Sequence, residues 1–359
     1  VRANGRRRVL VATLMLLPVV LAACSTGGGK AGEPSPVAAT TPAATPGGAT
    51  TASTVAAPMV KQDEARRVVT RLLATDDVLR AGGELRMALE IVRDGQAALT
   101  TAAYRANDME PPRYGWGDPV LYVPRLDRAP YWFTAVVERR DGPAGRERGD
   151  RRADGSRSAV LTFMRENDES RWQLSFATLL YPGAEPPEIA LDAEGYATAL
   201  STRDESLEIS PQLMAPLHAT VAEEGSQGFS AALIAPGEHT TGYSAEIAER
   251  KQQARHDGLN FDSIFGATKS PVFGLRTRDG GGFVQYAMTR TTTLSAKLPS
   301  APWIAIPQDA RWAAEQPAMA KEMRIIETHQ YAADVPAKGA RKPAEVIAFD
   351  GAITRVSGR

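Results

Sequence analysis

One cysteine in 359 residues, Cys24, limits how this chain can hold itself together. No intrachain disulfide can form, so a fold must be held by non-covalent packing. The same residue stands at the end of a leader. Arg6, Arg7 and Arg8 make a positive region, residues 9–21 are almost uninterruptedly apolar, and Ala22 and Ala23 lead into Cys24. That order is the pattern of a secretory signal with a small-residue cleavage site. The apolar run of 13 residues is short of the ~20 needed to span a bilayer. Exported chains commonly pair their cysteines; a solitary thiol at the cleavage point reads as a point of attachment.

Leu21-Ala22-Ala23-Cys24 resembles the lipobox of bacterial lipoproteins, where a leucine and two small residues precede the lipidated cysteine. The resemblance implies that residues 1–23 leave as a signal peptide and that Cys24 takes a diacylglycerol thioether and palmitate-type acyl chains. It also implies a cell-membrane address, lipid-anchored on the extracytoplasmic face. A single acyl chain binds a membrane only marginally, and two or three hold it lastingly. Arg7-Arg8 before Val9-Leu10 partly resembles a twin-arginine signal but lacks the usual Ser/Thr before the pair and Lys after it. The general and the twin-arginine export routes both stay open.

Residues 25–58 are almost entirely Ala, Thr, Pro, Gly and Ser, with Val37 and Val55 the only large apolar side chains. Nothing there offsets the entropy of ordering, so residues 24–59, lipidated Cys included, are expected to be a disordered tether. Such a tether spans about 30–35 Å as a coil and about 100 Å when stretched. Gly27-Gly28-Gly29-Lys30 looks like a phosphate loop, but Ala31 follows the lysine and neither strand nor helix frames it. The chain carries 42 basic and 42 acidic groups, and loss of Arg2, Arg6, Arg7 and Arg8 with the leader leaves 38 basic against the same 42 acidic. That balance gives no case for nucleic acid or a polybasic membrane surface.

The remaining stretch of roughly 300 residues suits two domains. Helices are expected over 63–74, capped by Asp63, and over 97–105. Residues 84–93 alternate like a strand but also match a helical face, and helix is preferred, ended at Asp94-Gly95. Strands are expected at 120–123, 131–139, 158–165 and 171–180, with a charged hairpin loop at 141–157. Breaks at Tyr181-Pro182-Gly183 and Pro186-Pro187 set a boundary at 181–188. The second half repeats the order: helices at 191–200, 210–222 and 244–256, then strands at 272–278, 283–294, 323–331 and 346–356. Residues 303–319 are expected to be irregular, with Trp312 plugging a core edge. Helices before strands, twice, is the α+β signature of a curved antiparallel sheet with helices on its concave face.

Gly117-Asp118-Pro119-Val120-Leu121-Tyr122-Val123-Pro124, Tyr131-Trp132-Phe133-Thr134-Ala135-Val136, Arg171-Trp172-Gln173-Leu174 and Gly281-Gly282-Phe283-Val284-Gln285-Tyr286 carry a further resemblance. It is to uncharacterised lipoproteins of high-GC Gram-positive bacteria with cystatin- or NTF2-like α+β cones. It implies two tandem domains, 60–182 and 189–359, and no activity, since a shared fold confers none.

No chemistry is singled out. His218, His239, His256 and His329 are scattered without a second ligand at i+3 or i+4, and are expected at the surface or rim without metal. There is no Gly-x-Ser-x-Gly elbow and no Ser-x-x-Lys, and Ser244 reads as a helix cap. No catalytic residue or cofactor is assigned. Trp132, Trp172, Phe176, Phe273, Phe283 and Tyr286 lie on expected strands, where they either line a pocket under the helices or fill the core. The leading expectation is a non-enzymatic binding or scaffold protein at the cell envelope, with an envelope protein or the cell wall as partner besides the membrane. The alternative is a small-ligand binder or enzyme using an NTF2-like cavity. A transporter's solute-binding lipoprotein fits less well, because no βαβ alternation is seen.

Overall fold

The computed structural model describes residues 59–142, 156–298 and 303–359. The leader, the Leu21-Ala22-Ala23-Cys24 motif and the tether up to residue 58 lie outside the described residues, as does most of the charged loop at 141–157. Helix α1 (Gln62–Gly82) forms where Val68, Val69, Leu72, Leu73 and Leu79 recur at helical spacing, all of them buried. Lys61, not Asp63, is its N-cap; Asp63 and Glu64 sit in the first turn, where carboxylates favour the positive end of the helix dipole. The helix runs past residue 74, and Asp76 and Arg80 pair one turn apart within the extension. It stops at Gly83, φ 68°, a left-handed cap. A Cβ there would meet the Met109 carbonyl oxygen at 2.7 Å.

Two shorter helices follow, α2 (Leu85–Glu90) and α3 (Asp94–Arg105). Asp94-Gly95 therefore opens a helix instead of closing one. The strands β1 (Tyr114–Trp116) and β2 (Val120–Tyr122) both pair with β3 (Tyr131–Asp141), which pairs with β4 (Arg157–Arg165) and that with β5 (Gln173–Leu180), all antiparallel.

The second half lays down α4 (Pro211–Glu224), with proline in its first turn, and α5 (Gly242–His256). The strands are β6 (Leu259–Ala267), β7 (Phe273–Arg276), β8 (Gly282–Ala296), β9 (Ile304–Ala305), β10 (Ala318–Met319), β11 (Glu322–Val335) and β12 (Glu345–Gly358). Among the described residues, ten strands form one antiparallel sheet in the order β1-β3-β4-β5-β12-β11-β8-β6, with β2 on β3 and β7 on β8; β9 and β10 pair separately. The fold is α+β. The halves share this sheet through two residue pairs, Leu180 with Ala348 and Leu179 with Phe349, and residues 55–359 make one compact unit.

Alternation along the strands builds the layers. In β3, Tyr131, Phe133, Ala135 and Val137 pack under α1, while Trp132 and Val136 face the opposite way. On that opposite face they meet Phe273, Leu275, Phe283, Ala332 and Ile347 from the second half. The two halves thus pack through the faces turned away from their helices. Buried Gln285 crosses this seam: its amide donates to Thr134 Oγ1 at 3.0 Å, and Thr162 Oγ1 donates to its carbonyl at 2.5 Å. A register shift in β5 skips Ser175. Gln330 satisfies the backbone freed there, accepting from Ala177 N at 2.9 Å and donating to Ser175 O at 3.2 Å.

Three further segments differ from expectation. Residues 191–200 are not helical. Asp192 accepts from the amides of Glu194 and Tyr196, Gly195 takes φ 83°, and the arms bridge Thr277 and Leu275 as isolated extended residues. A short Asp side chain turning its own backbone outweighs helical propensity. β6 was not expected, although Leu259, Phe261, Ser263 and Phe265 alternate with more exposed partners. Within 303–319 a 3₁₀ turn (Gln308–Ala313) and the β9–β10 pair close a small core of Ile304, Ile306, Ala310, Met323 and Val356.

Candidate functional site

Helical and strand periodicity place four walls around a half-open space. On α1, Leu72, Asp76 and Arg80 fall one turn apart on one stripe. On α3, Gln96, Leu99, Thr100 and Ala103 share a face at i, i+3, i+4 and i+7, and Asn107 follows in the turn beyond it. From the sheet, Ala159, Leu161 and Phe163 of β4 and Ala177 and Leu179 of β5 point toward the helices. Ala102, Ala103 and Ala106 on the helix side, and Ala159 and Ala177 on the sheet side, are too short to meet across the gap. The result is a cavity of about 410 Å³, within the range of small-molecule pockets. Asp350 and Ala352 of β12 and Trp312 of the 3₁₀ turn complete it.

One part of the cavity lining is charged. Arg80 Nε donates to Asp76 Oδ2 at 2.6 Å and its Nη1 to Pro112 O at 3.0 Å. The Arg80 and Arg139 guanidiniums lie over the Tyr114 ring at 5.1 and 4.2 Å. Burial pushes the Asp76 carboxyl above the usual carboxylate range despite its pairing with Arg80. Asp350 is raised as well, chiefly by burial, with Arg139 and the Gly351 amide pulling the other way. It keeps some accessible surface because it faces the cavity. Gln96 is buried with its carboxamide oxygen unpartnered. A carboxyl desolvated by burial in the wall of a pocket makes that pocket the candidate site.

The six aromatic residues singled out on strands lie elsewhere. Trp132, Phe176, Phe273 and Phe283 share the seam between the halves, with Trp132 and Phe273 rings 5.2 Å apart. Trp172 packs on Phe133 at 5.0 Å and donates to Glu64 at 3.0 Å, fastening α1 to the sheet. Tyr286 belongs to the core under α4 and α5. None of the six borders the cavity; their side chains fill the layers that position it. Trp312 stands half-buried at the cavity wall, not in a core edge.

The histidines correct the surface expectation. His218 and His329 are buried, His239 is half-buried, and only His256 is exposed. His218 Nε2 lies 2.6 Å from the His239 carbonyl oxygen, so that nitrogen carries the proton and Nδ1 accepts from Tyr286 at 2.9 Å. His329 joins Tyr331 and Glu327, both at 2.9 Å. Glu327 and Arg290 reach the floor of a second, 330 Å³ cavity under α5. Among the described residues no group of three or more His, Cys, Asp or Glu could hold a metal ion. None of their helices is long and apolar enough to cross a membrane.

A family model described as "Domain of unknown function (DUF8094)" matches residues 56–358. The chain belongs to that family. One match covers both halves of the DUF8094 fold. The chain is 26% identical over 310 residues to "Uncharacterized lipoprotein SCO6871" of Streptomyces coelicolor, covering 82% of this chain and 81% of that protein. It is 33% identical over 128 residues to an "Uncharacterized lipoprotein" of Streptomyces avermitilis, covering 35% of this chain and 36% of that protein. No solved structure matches.

Sequence reasoning missed Asp76, Arg80, Gln96, Arg139 and Asp350. Asp350 left one signal, an acid following Val346-Ile347-Ala348-Phe349 in a strand. The Asp76–Arg80 spacing is that of an ordinary surface pair, and nothing in it reports burial.

Proposed function

We propose that the protein is a lipid-anchored, extracytoplasmic binder of a small amphipathic molecule, held to the membrane at Cys24 and using the cavity between α1, α3 and the sheet. The single observation that carries this reading is the 410 Å³ space with Asp350 in its wall, bonded to the Gly351 amide and without a basic nitrogen at ion-pair distance among the described residues. The anchor is supported by the Leu21-Ala22-Ala23-Cys24 motif and by the names of the Streptomyces relatives. Within the folded part, residues 60–182 and 189–359 are each read as a cystatin- or NTF2-like cone, supported by α1 over β3 and β4 in the first half and α4 against β6 and β8 in the second, with α3 reaching from the first half onto β12.

The test is recovery of the occupant. Full chain purified from membranes is extracted with solvent and the extract compared by mass spectrometry with that of Ala103→Trp, which fills the cavity. A small molecule recovered in equimolar amount from the wild type and lost from the variant is expected; equal recovery from both overturns the site. Uptake of a fatty-acid probe, lost in Cys24→Ala, tests the anchor, and undiminished label in the variant overturns it.

A further inference from the structure

On the reading that this cavity is the binding site, we infer that its ligand is an amphiphile bearing a protonated amine, with the ammonium against Asp350 and the hydrocarbon body against Leu72, Leu99, Leu161 and Phe163. The charged groups of the cavity wall are unevenly satisfied. Arg80 is committed to Asp76 and the Pro112 carbonyl. Arg139 lies 3.3 Å from Asp141, and both guanidiniums stack on Tyr114. No further cation borders the cavity among the described residues, so an anionic head group would find no free partner.

Asp350 stands differently. Its Oδ1 accepts from the adjacent Gly351 amide at 3.0 Å, and no basic nitrogen lies within ion-pair distance of it among the described residues. An open carboxylate calls for a donor. A fatty acid would set a second carboxylate beside Asp350, and a plain hydrocarbon would leave that carboxyl desolvated and unmatched. An ammonium brings three N–H donors and the opposite charge. The lining carries Asp76, Asp309 and Asp350 against Arg80 and Arg139, a balance that tolerates one added cation.

The probe is a ten-carbon alkylamine carrying a diazirine, photolysed with the full chain in its own membranes, and the labelled residues are found by tandem mass spectrometry. Label is expected within residues 72–107 and 350–353, displaced by decylamine and far less by decanoate or decanol. Asp350→Asn is expected to weaken amine capture by about tenfold or more, as loss of a charge-assisted bond does, with its melting temperature verifying the fold. Leu161→Trp, which blocks the space, is expected to abolish capture in every arm. If decanoate displaces the probe as well as decylamine, or Asp350→Asn captures it undiminished, the amine class is overturned while the cavity stands. If neither amine, acid nor alcohol is captured there, the binding site itself is overturned.

Discussion

Gln285 on β8 and Thr162 on β4 meet across the seam between the two layers at 2.5 Å, with Thr134 closing a ring of three buried side chains. Each group in the ring donates once and accepts once. Gln285→Leu leaves two hydroxyls facing a hydrocarbon, at a cost of about 1–3 kcal/mol. Replacing all three, as Gln285→Leu with Thr134→Val and Thr162→Val, recovers much of that loss, because no polar group is then stranded. Urea unfolding of the full chain at neutral pH reads both effects. A triple variant no more stable than Gln285→Leu contradicts the ring.

His218 makes the core under α4 sensitive to acid. Burial lowers its pKa from 6.5 to about 4, so between these values the unfolded chain binds the proton and the native one does not. Its contribution is fully present above pH 6.5 and is lost as pH falls toward 4, about 3 kcal/mol in all. The carboxyls of Asp192, Asp204, Asp279 and Glu327, held below their usual values, lose stability in acid as well. The histidine's share is therefore the difference between the wild type and His218→Gln. The urea midpoint of the wild type falls more steeply between pH 6.5 and 4.5; parallel slopes contradict this.

Asp350 acts with the opposite sign. Its folded pKa lies above its unfolded value, so the native chain holds the proton more tightly and stability is lost as pH rises past the ordinary carboxylate range. Asp350→Asn removes that loss. The melting temperature of the unliganded variant rises relative to wild type at pH 7 and is unchanged at pH 3. A fall at pH 7 means that Asp350 has an ion partner and is not an open receptor.

Phe176→Leu separates packing aromatics from the cavity wall. It thins the seam at a cost of about 1–3 kcal/mol and leaves the amount of small molecule recovered from the chain unchanged, by mass spectrometry of the solvent extract. A parallel loss of the extracted molecule returns Phe176 to the site.

The long periodic elements were legible because burial on one face leaves its mark in the sequence. Val68, Leu72 and Leu79 announce α1, and the apolar strands β3, β4, β8 and β12 fall within a few residues of expectation. What stayed hidden depends on distant partners. Trp132 and Phe273 could line a pocket or fill a core as far as the sequence goes, because nothing local says that the two halves pack through their outer strand faces. Asp192 and Gly195 turn a stretch whose composition suits a helix. The cavity is a deficit, made where alanines of α3 oppose alanines of β4 and β5, and a void has no signature in one segment. Buried His218 is indistinguishable from an exposed histidine until Tyr286 and the His239 carbonyl are brought to it from elsewhere in the chain.

A crystal of the protein pressurised with xenon reports most directly on the central claim, an open and partly apolar chamber under α1 and α3. Xenon density is expected between Leu99, Leu161 and Phe163, the apolar part of the lining, since apolar cavities take up such atoms. A structure in which those side chains close on one another, with no room beside Asp350, contradicts the account.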